Sequence, residues 1–122
     1  MNLRSNPASP NLARRAVAAA LTGHSGLVIE QAVLMTSELV SNAVVHGAEP
    51  ITLDIAVGTG LLTVSVDDAG TGGPLWMRPT EVDVHGRGVR IVDSLSYAWG
   101  VEPLTGGKRV WFSLLLDVPR SP

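Results

Sequence analysis

Cysteine is missing from the 122-residue chain, and its absence limits the possible chemistry. Disulfides, thiolate metal sites and cysteine nucleophiles are excluded. The composition fits a reducing compartment, and residues 1–10 lack the apolar segment of a signal peptide, so we expect a cytoplasmic protein. No apolar run approaches the ~20 residues of a membrane span, so no contact with a membrane is expected.

Aromatic residues and an excess of positive charge are also lacking. The formal net charge is -2, so there is no basic surface to indicate direct binding of nucleic acid. Aromatic residues make up 4% of the chain, and the core must therefore be built from the aliphatic residues that dominate its 45% hydrophobic content. The length is that of one domain.

The spacing of apolar residues predicts two helices in the first half of the chain. Residues 11–21 are rich in Ala, Arg and Val, and this helix is expected to end near Gly23. A second helix is expected to begin after an N-cap at Ser25 and to end at His46. Gly47 would then take the left-handed conformation that often follows a helix end.

The pattern then changes from helical to alternating, which predicts β-hairpins. Residues 51–57 and 62–67 form the first hairpin, and a second one closes the chain. Between them lie a loop at 69–85, long enough for a lid, and a short helix at 88–95. The economical architecture is an α+β two-layer sandwich, with the helices on one face of a mostly antiparallel sheet.

Two consecutive aspartates end the second predicted strand, and strand parity separates them. Asp68 shares parity with the apolar residues, so it should face the helices, whereas Asp67 should face the open side. An inward carboxylate needs a donor, and an adenine amino group would be one. GTP should bind poorly there, since its six-position oxygen is an acceptor. Gly70 and Gly72 would let the backbone approach a planar ring, although an ordinary aspartate turn remains the alternative.

The most informative stretch is a polar stripe on the second predicted helix. Glu38, Asn42 and His46 recur every four residues in an apolar segment, so they lie on one face. The Asn42 amide oxygen suits Mg²⁺, and Glu38 could accept a proton or hold a metal-bound water. His46 suits a structural or phosphate-side role at the helix end. The alternatives are a backbone-bonded or solvent-facing Asn42 and an exposed Glu38.

A glycine turn precedes the third predicted helix. Gly86 and Gly88 flank Arg87, and a glycine turn at a helix N-terminus presents free N–H groups to an anion. Arg87 or Arg90 could add a charged hydrogen bond to phosphate. When this motif is considered alone, an ordinary helix start with a surface arginine is a better interpretation than an anion-binding site. The spacing matches neither a P-loop nor a dinucleotide-binding fingerprint.

The order of these motifs resembles the N, G1 and G2 boxes of the histidine-kinase-like (GHKL) ATPases, which have the Bergerat fold. The boxes are Glu38-x-x-x-Asn42-Ala43-x-x-His46, Asp68-x-Gly70-x-Gly72 and Gly86-x-Gly88. The segment from Gly88 to Phe112 looks like the short stand-alone actinobacterial branch, which is similar to anti-sigma-factor serine kinases. The resemblance covers residues 10–118, which leaves 1–9 as a flexible lead-in and 119–122 as a tail.

The resemblance implies a role for each box. Asn42 would ligate Mg²⁺ between the phosphates of ATP, Glu38 would be the general base toward a serine hydroxyl, and Asp68 would bond the adenine amino group. The other nucleotide-binding residues would be His46, Gly70, Gly72, Gly86, Arg87 and Gly88. The implied partners are a STAS-type anti-sigma antagonist and a sigma factor. A homodimer is compatible with the sequence, which leaves the oligomeric state open.

The chain also departs from the family pattern. Many relatives carry Thr before the final Val-x-Phe strand, close to the adenine, where this chain has Arg109, so the pocket edge is expected to differ. Residues 72–85 are short for a lid. Three functions stay open. The first is a serine/threonine kinase that phosphorylates the antagonist, the second is an ATP-dependent protein-binding regulator without phosphoryl transfer, and the third is a structural domain that has lost nucleotide binding. Glu38 favours the first, and Arg109 with the short lid favours the second.

Overall fold

The structure, a computed structural model, describes residues 1–70 and 86–116, and in residues 86–90 only the backbone. Within these residues the chain forms five strands and three helices. In chain order they are β1 (Asn2–Leu3), α1 (Ser9–Ala20), α2 (Gly26–His46), β2 (Ile51–Val57), β3 (Leu61–Asp68), α3 (Gly86–Leu95), β4 (Ala98–Leu104) and β5 (Gly107–Leu115).

The strands form one antiparallel sheet in the order β1-β2-β3-β5-β4. Alternate residues of the central strands face the helices, as Leu62, Val64 and Val66 of β3 do, and these three are buried. The predicted two-layer α+β sandwich is confirmed. Phe112 is the one aromatic side chain fully buried in the described part of the chain, so the core is aliphatic, as the composition predicted.

The central helix of the core is α2. Its buried side chains are Ala32, Met35, Thr36, Leu39, Val40, Asn42 and Ala43. By length and composition alone α2 could cross a membrane, with a mean hydropathy of 1.2. The expectation that no apolar segment approaches that length is therefore corrected. Burial in the core explains only part of this apolar composition, because Leu27, Leu34 and Val45 of α2 are exposed.

The first nine residues differ from the expected loose lead-in. β1 pairs with the start of β2, the Met1 ammonium donates to the Leu53 carbonyl at 2.9 Å, and Leu3 is buried in the core. A two-residue strand is too short to show alternation, so its sequence pattern could not reveal it. α1 begins at Ser9, two residues earlier than predicted, because Pro10 is accommodated in the first turn of a helix.

The ends of α2 test two local predictions. Ser25 is the N-cap as predicted, since its Oγ accepts a hydrogen bond from the Val28 N–H at 3.2 Å. The prediction for Gly47 is wrong, because its φ of -96° and ψ of -160° are extended rather than left-handed. The reason for a glycine at this position lies in what packs against it.

Candidate functional site

The C-terminal ends of α2 and β3 meet closely at one end of the sheet. The Ala69 N–H donates to the Ala48 carbonyl at 2.8 Å, which ties together the segments that follow the two elements. A Cβ placed on Gly47 would lie 2.6 Å from Asp68 Cγ. Gly47 is therefore required for space rather than for a left-handed backbone. The end of α2, where the polar stripe finishes at His46, is thus packed beside the carboxylate of β3.

Asn42 places an unpaired amide oxygen near this junction. The residue is 7% exposed, and Asn42 Oδ1 has no hydrogen-bond partner in the described part of the chain. Neither sequence alternative, a backbone-bonded or a solvent-facing amide, holds for this atom. A buried acceptor without a partner costs about 1–3 kcal/mol, so a ligand that uses it is favoured. An amide oxygen is a ligand that Mg²⁺ accepts beside phosphate oxygens and water, so Asn42 fits that metal.

Glu38 and His46 flank Asn42 on the same face of α2. Glu38 is half-buried rather than exposed, and this burial raises the pKa of its carboxyl above the ordinary value of 4.5. A carboxylate with a raised pKa is a better proton acceptor at neutral pH. His46 is half-buried in the last turn of α2, where positive charge is favourable. Its contact with phosphate stays a prediction.

Strand parity separates the two aspartates as predicted. Asp68 is 4% exposed on the helix-covered face. Asp67 lies on the open face, where Arg109 donates from Nε to Oδ1 at 2.7 Å and from Nη2 to Oδ2 at 2.9 Å. Arg109 therefore lies on the opposite side of the sheet from Asp68. An effect of Arg109 on the edge of the nucleotide pocket stays a prediction.

The residue that faces Asp68 is Lys108, which the sequence analysis missed. Lys108 is paired directly with Asp68 in the β3–β5 register, and its Nζ lies 2.9 Å from Asp68 Oδ1. The two side chains are 5% and 1% exposed. The parity of β5 could have revealed this position, since Lys108 alternates with the buried Val110 and Phe112. A lysine on a core face requires a partner of opposite charge.

Glycines surround the buried ion pair. The Gly70 N–H donates to Asp68 Oδ1 at 2.7 Å. A Cβ on Gly70 would lie 2.9 Å from that oxygen and 3.2 Å from Lys108 Nζ, and a Cβ on Gly107 would overlap the Asp68 backbone carbonyl. Gly70 thus shapes the surroundings of Asp68, in agreement with its place in the G1 box.

Several predicted site residues can be placed only in part. Gly86, Arg87 and Gly88 form the first turn of α3, so the helix begins two residues earlier than predicted. The N–H groups of a first helical turn lack intrahelical partners, and anion binding there stays a prediction. The Arg87 side chain, Gly72, the expected lid at 72–85 and the expected tail at 119–122 lie outside the described residues.

A mostly apolar groove of about 600 Å³ lies elsewhere, lined by residues of α1, α2 and the end of α3. Its lining includes Leu27, Leu34 and Leu95. Volume alone does not identify a binding site, since specificity requires convergent polar groups. The unpaired amide oxygen and the buried ion pair described above lie outside this groove. We therefore place the candidate site at the junction of α2, β3 and β5.

Comparison with known proteins identifies the family. Residues 3–114 match the histidine kinase-like ATPase domain. The blue-light activated histidine kinase of Erythrobacter litoralis is 25% identical with a TM-score of 0.57, over 84% of this chain and 40% of that one. The histidine kinase domain from the same protein is 25% identical with a TM-score of 0.56, over 83% and 62%.

The chain thus spans less than two thirds of either solved structure. No curated protein matches it. The family match covers both layers of the sandwich and the boxes on α2 and β3. This chain belongs to the ATP-binding histidine kinase-like ATPase family.

Proposed function

We propose that the chain is an anti-sigma-factor serine/threonine kinase: a cytoplasmic regulator that binds Mg·ATP, phosphorylates a STAS-type antagonist and holds a sigma factor. The observation that carries the proposal is the unpaired Asn42 Oδ1, one helical turn after a half-buried Glu38 with a raised pKa. A domain that only held protein partners would need neither a free metal ligand nor a basic carboxylate beside it.

The nucleotide is proposed to lie between α2 and the end of β3. Asn42 would hold Mg²⁺, which when bound neutralises charge on the phosphates. Asp68 would accept from the amino group of the base, and the first turn of α3 would face the phosphates. The close approach of Gly47 and Gly70 to Asp68 supports this arrangement, because both positions leave no room for a larger residue beside the carboxylate.

Glu38 is the proposed general base for phosphoryl transfer. The oxygen of a serine hydroxyl forms a bond to the γ-phosphorus while the bond from that phosphorus to the β,γ-bridging oxygen breaks, and ADP leaves. The hydroxyl proton passes to the Glu38 carboxylate. Such a step depends mainly on positioning and on stabilisation of charge, and the base contributes ~10²–10⁴ in rate.

A second function, an ATP-dependent protein-binding regulator without phosphoryl transfer, has its own supporting observation. The Asp68 carboxylate already forms a buried ion pair with Lys108, which is not part of the expected pattern. A nucleotide held differently at its base could bind without reaching the geometry that transfer requires.

The test is incubation of the purified chain with Mg²⁺, γ-labelled ATP and a STAS-type antagonist protein. We expect the label on a serine of the antagonist. If ATP binds by calorimetry but no label moves, the regulator without transfer is supported instead. If ATP does not bind, both functions are excluded.

A further inference from the structure

The chain contains eight arginines but only one lysine, Lys108, and this lysine is buried. Its side chain is 5% exposed, and its Nζ lies 2.9 Å from Oδ1 of Asp68, whose side chain is 1% exposed. Lysine is seldom buried unless it has a partner. The inference drawn from this pair rests on the proposed function, in which Asp68 accepts a hydrogen bond from the amino group of the base.

The Asp68 carboxylate has no room for a base on the sides where glycines approach it. A Cβ on Gly47 would lie 2.6 Å from Asp68 Cγ, and a Cβ on Gly70 would lie 2.9 Å from Oδ1. Where a single added carbon collides, a nucleobase, which is much larger, cannot enter. A base can therefore reach this carboxylate only if a neighbouring group moves.

Lys108 is the neighbour that is able to move. Its ammonium is carried by a flexible four-carbon stem, whereas Gly47 and Gly70 approach Asp68 with main chain. The ammonium has three donors, of which one is directed at Asp68 Oδ1, and the other two have no partner among the described residues. One short contact thus holds Lys108 in place, and an amino group of a base could replace it on the carboxylate.

We propose that the Lys108–Asp68 pair is an autoinhibitory contact. The Lys108 ammonium occupies the position on Asp68 that the base takes in the complex, and the nucleotide binds only when Lys108 turns out to solvent. A closed state of this kind lowers the apparent affinity in proportion to the fraction of molecules that are open. An open state populated at about 1–10% would weaken ATP binding roughly 10–100-fold.

The presence of a single lysine allows a direct test on the wild-type chain. Acetic anhydride labels Lys108 and the N-terminal amine, and peptide mass spectrometry measures the two rates separately. We expect Lys108 to react slowly in the free protein and roughly tenfold faster or more in saturating Mg·ATP, because its ammonium is then in solvent. The N-terminal amine, which bonds to the Leu53 carbonyl at the other end of the chain, is the internal control and should keep its rate.

A pair of variants tests the same contact by affinity. Lys108→Met keeps an unbranched side chain but has no ammonium, so ATP should bind roughly 10–100-fold more tightly in titration calorimetry. Arg15→Met is the matched control, because it removes one positive charge at an exposed position of α1. Its affinity for ATP should stay at the wild-type value.

The outcomes separate this inference from the proposed function. If calorimetry shows that ATP binds while Lys108 stays as protected as in the free protein, or becomes more protected, the inference is overturned, even if Lys108→Met fails to fold. Equal or weaker ATP binding by a folded Lys108→Met variant also overturns it, because Lys108 then does not exclude the nucleotide. If neither the wild type nor Lys108→Met binds ATP, the proposed function fails and the inference fails with it.

Discussion

At the scale of single residues, two buried side-chain oxygens of α2, Thr36 Oγ1 and Asn42 Oδ1, have no partner in the described part of the chain. They differ in their surroundings. Both oxygen atoms are buried, but Thr36 is buried as a whole residue, whereas Asn42, on the last turns of α2, is 7% exposed through its other atoms. Only Asn42 shares its helix face with the half-buried Glu38. Thr36 is therefore a control, on the same helix, for the proposal that Asn42 binds Mg²⁺.

Asn42→Ala should abolish the Mg²⁺-dependent part of ATP affinity, because the variant has no amide oxygen to bind the metal. Thr36→Val removes the other unpaired oxygen with little change of shape, and its nucleotide affinity should stay at the wild-type value. Calorimetric titration with ATP, in Mg²⁺ and then in chelator, measures both. Unchanged Mg·ATP binding in a folded Asn42→Ala variant would show that the metal assignment is wrong.

The raised pKa of Glu38 predicts how its carboxyl affects stability with pH. Burial raises the pKa in the folded chain above 4.5, so the folded state holds this proton more tightly than the unfolded state. The stabilising contribution of the protonated carboxyl is complete below 4.5 and is lost as pH rises through the raised value. Gln at position 38 cannot ionise and does not lose this contribution. The free energy of unfolding of Glu38→Gln, minus that of the wild type, should therefore increase as pH rises from acid to neutral.

Urea unfolding of the wild type and Glu38→Gln at a series of pH values measures this difference. A Glu38→Gln difference that is flat across the acid range, or falls with rising pH, would contradict the burial of this carboxyl.

At the scale of elements, the parity of β3 was predictable and the contact around Gly47 was not. Alternation of Leu62, Val64 and Val66 is a local pattern, and it correctly predicted that Asp68 faces the helices. Gly47 was assigned from the local statistics of helix ends, whereas its real constraint is a neighbour on another strand. A close approach between elements distant in the chain leaves no signal in the sequence beside either one.

Lys108 differs from Gly47, because the signal for its position was local. The family pattern concerns Arg109, whereas the parity of β5 assigns Lys108 to the side of Asp68. The Asn42 and Glu38 stripe was predictable because helical spacing is local. What could not be predicted was that Oδ1 of Asn42 stays unpaired, since that depends on every element packed around it.

Gly47→Ala should disrupt the junction between α2 and β3. Its Cβ would lie 2.7 Å from the Ala43 carbonyl oxygen and from Asp68 Oδ1, so either the helix end or the carboxylate must move. We expect a loss of about 1–3 kcal/mol in the free energy of unfolding, together with weaker ATP binding. Urea unfolding and calorimetry measure the two effects.

Gly26→Ala is the control for that substitution, since a Cβ at this start of α2 meets nothing within 4 Å. It should be neutral or stabilising, because Ala is the better helix former. Equal behaviour of the two variants would mean that Gly47 is not constrained by Asp68.

Asp68→Asn should weaken ATP binding sharply, whereas Asp67→Asn should not. Asp68 lies on the covered face at the proposed base site, and Asp67 binds Arg109 on the open face. Since Asp68→Asn also leaves Lys108 without its partner, thermal unfolding must accompany the calorimetry to show that the variant folds. Equal losses from both substitutions, or a loss confined to Asp67→Asn, would remove Asp68 from nucleotide binding.

At the scale of the whole molecule, the fold was the most predictable property. Two alternating hairpins and two long helical patterns leave few compact arrangements for a chain of 122 residues, and a helical layer on an antiparallel sheet is the economical one. The fold does not establish the function of the whole molecule, because the chain spans only 40% and 62% of the two histidine kinase structures it resembles. Phosphoryl transfer therefore has to be tested on this chain itself.

The Glu38→Gln variant tests transfer directly. The substitution keeps size and hydrogen bonding but removes the basic oxygen, so a kinase should still bind Mg·ATP and its partners while its rate falls by ~10²–10⁴. The wild-type rate should also rise with pH through the raised pKa of Glu38, because only the deprotonated carboxylate accepts the proton. The measurement is transfer of label from ATP to the antagonist, with partner capture measured in parallel.

The three possible results point to different mechanisms. Transfer by the wild type alone identifies a kinase with Glu38 as its base. If neither protein transfers phosphate and both capture the partner equally, the chain is a binding regulator, and the raised pKa of Glu38 reflects burial without chemistry. Undiminished transfer by Glu38→Gln would keep the kinase and exclude Glu38 from its mechanism. Positioning and charge stabilisation would then supply the whole rate, which phosphoryl transfer permits because its loose transition state demands little of a base.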